Sequence, residues 1–145
     1  MSKSVQELAE LIFSYYPAVR KTFRDLVSLK DVPISMTQLT CLTILSKNGK
    51  MTMTELAKKL TMSNQQLTKV VDALVDFDMA QRAVDPTNRR KIYVVTTAKG
   101  NETLIALKNE LDRKLGHYLN SLPEQEVDKL YQSVANIASF FGHNE

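Results

Sequence analysis

Apolar residues recur every three or four positions through most of this chain, and over one short stretch they stop doing so. Between about Ser4 and Leu29 they fall at Val5, Leu8, Leu11, Ile12, Tyr15, Val19, Phe23 and Leu26, along one side of a helix. Pro17 lies inside that run and is expected to break or kink it, because proline removes a donor and crowds the preceding turn. Asp31-Val32-Pro33 is expected to end the segment, since a residue before proline is pushed out of the α region. A second helix is predicted from Met36 to about Ser46, stopping at Asn48-Gly49. Two helical runs, Thr54–Leu60 and Ser63–Phe77, follow with only a few residues between them. The pattern then changes, and Ala80–Val84 and Ile92–Thr96 read as strands around Asp85-Pro86-Thr87-Asn88-Arg89-Arg90-Lys91. A fifth helix starts near Thr97, with Leu104, Leu107, Leu111, Leu115 and Tyr118 or Leu119 on one side. A sixth runs from about Glu124 to Phe141, with Val127, Leu130, Tyr131, Val134, Ile137, Phe140 and Phe141.

Helix starts carry a second signal. Ser35 with Gln38, Thr52 with Glu55, Ser63 with Gln66 and Ser121 with Glu124 each place a hydroxyl three positions before Glu or Gln. The hydroxyl accepts from a free backbone N–H, and the longer side chain reaches back to the cap residue. At the last of these Pro123 is an alternative cap.

A short helix, a tight turn, a longer helix and a two-stranded ribbon make a winged helix-turn-helix. The expected fold is mostly α with a small β-hairpin wing (α+β), six helices in all. Such a shape sets one helix into a DNA major groove and a basic loop into the adjacent minor groove. The first and last two helices carry more apolar surface than one small winged domain needs, and an intermolecular bundle would use it. Residues 1–30 and 101–145 are thus expected to form a helical dimerisation region, and 31–100 the DNA-binding region.

In the helix Ser63–Phe77, Leu67, Val70, Val71, Leu74 and Phe77 form an apolar stripe. The opposite side presents Asn64, Gln65, Thr68 and Lys69 near the helix start. Amides, a hydroxyl and a cation are the groups that read base edges and phosphates. Asn64 or Gln65 can pair with adenine, while Lys69 suits a phosphate. The hairpin adds Arg89, Arg90 and Lys91 at its tip and Arg82 on its first strand, and an arginine on a ribbon can enter a narrow minor groove. Ser63 and Gln66, at the same helix start, complete the candidate DNA contacts. A solvated polar face and a charged, soluble turn are the bland alternatives to each half, and their conjunction favours double-stranded DNA. The rival function is a winged-helix protein-interaction module, which would need an apolar surface on the recognition helix.

Charge sharpens the picture. From Lys47 to Lys99 there are 10 Lys/Arg against 5 Asp/Glu, whereas the rest of the chain holds 9 against 11. The basic middle is the part suited to a polyanion. Cys41 is the single cysteine, so no intrachain disulfide forms, and its place among Leu39, Leu42, Ile44 and Leu45 suits a small core residue better than a redox sensor. No run suits a signal peptide or a membrane span, so a cytoplasmic protein is expected. His117 and His143 lack metal-ligand spacing, and no nucleophile-and-base pair or phosphate loop stands out. Neither an enzyme nor a metal or other cofactor is expected.

Asp85, Arg89-Arg90, Thr97 and Gly100 resemble the wing signature of MarR-type transcriptional regulators, roughly D-x-x-D-R-R followed some seven residues later by L-T-x-x-G. Thr54-Glu55-Leu56-Ala57 with Ser63 is similar to that family's helix-turn-helix entry, and helix count, order and length agree over nearly the whole chain. The resemblance implies a winged-helix homodimer with the first and last two helices intertwined, bound to a pseudo-palindromic operator and acting as a repressor. It makes Arg90 the minor-groove arginine, with Arg89 and Arg82 as backbone contacts or wing supports. It also implies a response to a small aromatic effector, for which Tyr15, Tyr16, Arg20 and Met36 are the candidate lining residues. Two positions depart from the signature: Asn88 stands at its second aspartate and Thr96 at its leucine. Asparagine hydrogen-bonds without bringing charge, so a looser or differently oriented wing is expected.

Overall fold

A computed structural model describes residues 4–27 and 29–142, with side chains to 140. Of the residues weighed above, His143 and the side chain of Phe141 lie outside this description. The order of elements is α1 (Val5–Leu26), α2 (Met36–Asn48), β1 (Met51–Thr52), α3 (Met53–Lys59), α4 (Asn64–Asp76), β2 (Ala80–Val84), β3 (Ile92–Thr96), α5 (Ala98–Leu119) and α6 (Glu124–Gly142). Six helices and a small sheet are thus present, with both predicted strands at their predicted bounds.

The chain divides into two compact units, Met1–Asn109 and Glu110–Glu145. In the first, the three strands lie in the order β1-β3-β2, antiparallel throughout, with Arg82 opposite Val94 and Val84 opposite Ile92. The core consists of Ile34, Cys41, Leu42, Leu45, Met51, Leu56, Ala57, Leu67, Val71, Leu74, Met79, Ala80 and Val94. Burying so many large aliphatic side chains, at about 1.5–3 kcal/mol for each, is what fixes α2, α3 and α4 against the sheet. No core residue comes from α1, whose apolar side instead faces solvent: Leu8, Ile12, Tyr15, Val19 and Phe23 are each at least half exposed.

Capping boxes start α2, α3 and α4 at Ser35, Thr52 and Ser63, as the residue spacing predicts. Another starts α1, where Ser4 accepts from the Glu7 N–H at 3.1 Å and Glu7 accepts from the Ser4 N–H at 2.7 Å. Two expectations at α1 are corrected. Of the break or kink expected at Pro17, the break is absent: the helix runs through it, since proline removes one donor among many on an exposed helix. It ends at Leu26, before Asp31-Val32-Pro33, where the Val27 N–H still reaches the Phe23 carbonyl at 2.8 Å.

Gly49 closes α2 with φ of 72° and ψ of −139°, a conformation that side chains disfavour and glycine accepts. The loop into α5 is tied tightly. Thr97 Oγ1 donates to the Asp78 carbonyl at 2.6 Å and accepts from the Gly100 N–H at 3.1 Å, while the Thr97 N–H reaches the Met79 carbonyl at 3.1 Å. Here only glycine fits: a Cβ on Gly100 would lie 2.2 Å from the Met79 carbonyl oxygen. The Thr-x-x-Gly spacing is therefore a packing requirement at the base of the wing.

In the second unit α6 begins after Pro123, whose carbonyl accepts from the N–H groups of Glu126 and Val127. Ser121 does not cap it. Its hydroxyl donates backwards to the Tyr118 carbonyl at 2.7 Å, so the proline takes the cap position. Short ion pairs, Glu110 with Arg113 and Glu126 with Lys129, follow the helical surface. On α6, Leu130, Tyr131, Val134, Ile137 and Phe140 are exposed.

A candidate nucleic-acid interface

The helix-turn-helix is set by two caps and one strained residue. Thr52 and Glu55 exchange hydrogen bonds of 3.2 and 2.8 Å at the start of α3. Accepting from the backbone N–H of Thr52, and then from its hydroxyl, holds the Glu55 carboxyl below its usual range. At the other end the Met62 N–H reaches the Ala57 carbonyl at 3.1 Å, and Thr61 takes φ of 52° to let the chain reverse. A β-branched residue there is uncommon, and the closed turn around it compensates the strain. Ser63 then restarts the chain as α4. Its hydroxyl accepts from the Gln66 N–H at 3.2 Å, and Gln66 Oε1 accepts from the Ser63 N–H at 3.0 Å.

With Leu67, Val71 and Leu74 wholly buried, α4 has no rotational freedom, and its other side is fixed outward. Asn64, Gln65, Thr68 and Lys69 are all exposed on the first two turns. Thr68 donates its hydroxyl to the Asn64 carbonyl at 2.8 Å, which leaves its oxygen and methyl facing solvent. Ser63 and Gln66 are exposed as well, but their side chains are engaged in the cap.

The wing is anchored to α4 by one ion pair, Arg82 Nη2 to Asp72 Oδ1 at 2.6 Å. Arg82 thereby sits at the junction of β2 and α4, away from the tip. The tip itself folds around Asp85, which accepts from the Thr87 N–H at 2.8 Å, the Thr87 hydroxyl at 2.7 Å and the Asn88 N–H at 3.2 Å. Those bonds, with the Thr87 hydroxyl foremost, lower its pKa to about 2. Asn88 Oδ1 accepts from the Arg90 N–H at 3.1 Å, and the Asn88 carbonyl from the Lys91 N–H at 2.9 Å. Arg89 and Arg90 are exposed, and among the described residues neither guanidinium has an ion-pair partner.

The wing has a third strand that residue periodicity does not predict. The two-residue strand β1, too short to show a period, pairs Thr52 with Tyr93 and brings Lys50 beside the hairpin. The Lys50 ammonium lies 4.7 Å from the Tyr93 ring centre and that of Lys91 lies 5.5 Å from it. The Tyr93 hydroxyl beside Lys91 raises the pKa of that ammonium. Lys91, just before β3, and Tyr93 on it are two apart and visible as neighbours in the sequence, but nothing local announces Lys50.

Tyr15, Tyr16 and Arg20 are exposed on α1 and Met36 is exposed at the start of α2. Cys41 is wholly buried in α2, and burial pushes its thiol up to about 12. Among the described residues no cluster of His, Cys, Asp and Glu is able to hold a metal ion, and no helix is long and apolar enough to cross a membrane.

Comparison with known proteins agrees with this geometry. The MarR family model matches residues 34–92. An uncharacterized HTH-type transcriptional regulator of Mycobacterium bovis is 31% identical over 98 residues, which cover 68% of each chain. Among solved structures, RV1404 from Mycobacterium tuberculosis superposes with a TM-score of 0.83 at 19% identity, covering 98% of this chain and 97% of that one. Streptococcus pneumoniae FabT, solved in complex with DNA, superposes with a TM-score of 0.70 at 17% identity, covering 98% of this chain and 100% of that one. The likeness to both structures is one of fold. The chain belongs to the MarR family of winged helix-turn-helix transcriptional regulators, which are not enzymes.

Proposed function

We propose that this regulator works as a homodimer on a pseudo-palindromic operator. The first two turns of α4 read the major groove, and the wing carries Arg90 into the adjacent minor groove. The observation that carries this reading is the two-sidedness of α4. Leu67, Val71 and Leu74 are wholly buried, so the short polar row of Asn64, Gln65, Thr68 and Lys69 is held outward on a rigid support. An apolar recognition face, which a protein-interaction module would need, is not what this row offers. The uncovered apolar sides of α1 and α6 support the dimer, each being a surface that water alone covers poorly. Repression by occupying the operator, in the cytoplasm, is the simplest use of such a dimer. Release by a small aromatic acid through Tyr15, Tyr16, Arg20 and Met36 is the corresponding control.

Half-sites then lie about one helical turn apart, roughly 34 Å. Three or four phosphates per protomer give a slope of log affinity against log salt of roughly −5 to −7. Selection of bound duplexes from a random pool, followed by gel shifts across a salt series, tests all of this. Gln65→Ala is expected to cost about 1–3 kcal/mol and relax preference at one base pair. Arg90→Ala weakens binding more evenly across sequences. Salt-independent binding, together with no loss on Arg90→Ala, would sink the proposal.

A further inference from the structure

The segment from Asp85 to Lys91 contains three cations and one carboxylate. That carboxylate is turned into the hairpin, where three donors surround it at 2.7 to 3.2 Å. It orders the first half of the turn. The second half is ordered from Asn88: its side-chain oxygen accepts from the Arg90 N–H, its carbonyl accepts from the Lys91 N–H, and its own N–H donates to Asp85. One residue therefore fixes the backbone that launches both guanidinium groups, and the acceptor it uses is neutral.

We propose that Asn88 is a positioning residue that orders the wing tip without neutralising it. Arg89 and Arg90 thus reach DNA as two uncompensated cations. An aspartate at this place supplies the same acceptor in the same geometry. It also sets a full negative charge one and two residues from the arginines, where it competes with phosphate for them. Asparagine separates the two effects. The wing keeps its shape, and its whole positive charge is available to displace counterions from the duplex. This rests on the DNA-binding reading above and concerns how strongly the wing's share of affinity depends on salt.

Two substitutions at this exposed site divide shape from charge. Asn88→Asp keeps the acceptor and adds charge, and Asn88→Ala removes the acceptor and adds none. The probe is a duplex selected from a random pool by the unsubstituted protein, titrated at 50 and 200 mM salt, with thermal unfolding of each variant as a control for folding. Removing one phosphate contact per wing makes the salt slope shallower by about 0.9. Over that fourfold change in salt, the deficit of Asn88→Asp therefore narrows by about 3.5-fold for each wing. Asn88→Ala weakens binding roughly two- to tenfold at both salt concentrations, the range of one lost hydrogen bond. An Asn88→Asp protein with the unsubstituted slope, or an Asn88→Ala protein with unchanged affinity, overturns the proposal. If the unsubstituted protein selects no duplex, the DNA-binding reading itself fails.

Discussion

Arg82 can serve the wing in two ways, and a double-mutant cycle with Asp72 separates them. In the structure the pair is a single charge-assisted hydrogen bond of 2.6 Å, with the side chains 33% and 54% exposed. Unit charges about 4 Å apart attract by about 1 kcal/mol in water and about 4 kcal/mol at an effective dielectric of about 20. Exposure of this degree places the pair near the watery limit, and screening by salt lowers it further. A coupling of about 0.5–1 kcal/mol is expected, read from denaturant unfolding of Asp72→Ala, Arg82→Ala and the double variant. DNA affinity then gives the functional half of the cycle. If Arg82 acts by holding β2 against α4, either single change weakens binding by a similar factor and the double change is no worse. If Arg82 instead meets a phosphate, Asp72→Ala frees the guanidinium and tightens binding, while Arg82→Ala alone flattens the salt slope. Additive stability effects together with tighter binding by Asp72→Ala would refute the anchoring role.

Gly100→Ala is expected to cost about 1–3 kcal/mol, because a Cβ 2.2 Å from the Met79 carbonyl oxygen forces the start of α5 off the base of β2; an unchanged denaturation midpoint would contradict that. Asp85 has its pKa depressed in the folded wing, so the order it provides is complete above its ordinary 3.8 and is lost as pH falls through about 2. Amide shifts of Thr87 and Asn88 followed by NMR should move near the lower value, and a midpoint near 3.8 would show that the turn bonds are not held in solution. Cys41, with its thiol pushed up to about 12, should react with a disulfide reagent at pH 8 only as fast as the core opens. Rapid labelling of the native protein would mean that α2 is not packed as described.

The parts of this fold that were legible in the sequence are those built by local chemistry. The capping boxes at Ser35, Thr52 and Ser63 needed only two residues each, and the strands around Asp85–Lys91 announced themselves by the turn between them. The box at Ser4 and Glu7 has the same spacing and was open to the same reading. Other features depend on contacts far apart in the chain. β1 exists because β3 returns beside Met51 and Thr52, and Arg82 finds Asp72 across two elements. The polar row on α4 was legible as a candidate interface, because its buried complement fixes its direction. That Ser63 and Gln66 exchange bonds with each other was legible too, whereas the internal bonding of Asn88 required the turn itself.

Among the described residues every buried core side chain lies between Ile34 and Val94, and none belongs to α1. Order in this protein is therefore expected to be uneven, and uneven in a way that depends on concentration. Amide hydrogens of α2 and α4 should exchange with solvent only through global opening, at any dilution. Those of α1 have no buried side chain of their own chain to hold them. In the homodimer proposed above, their protection should rise as the protein is concentrated and a second copy covers Leu8, Ile12 and Phe23. Dilution would then loosen α1 long before it disturbs α4.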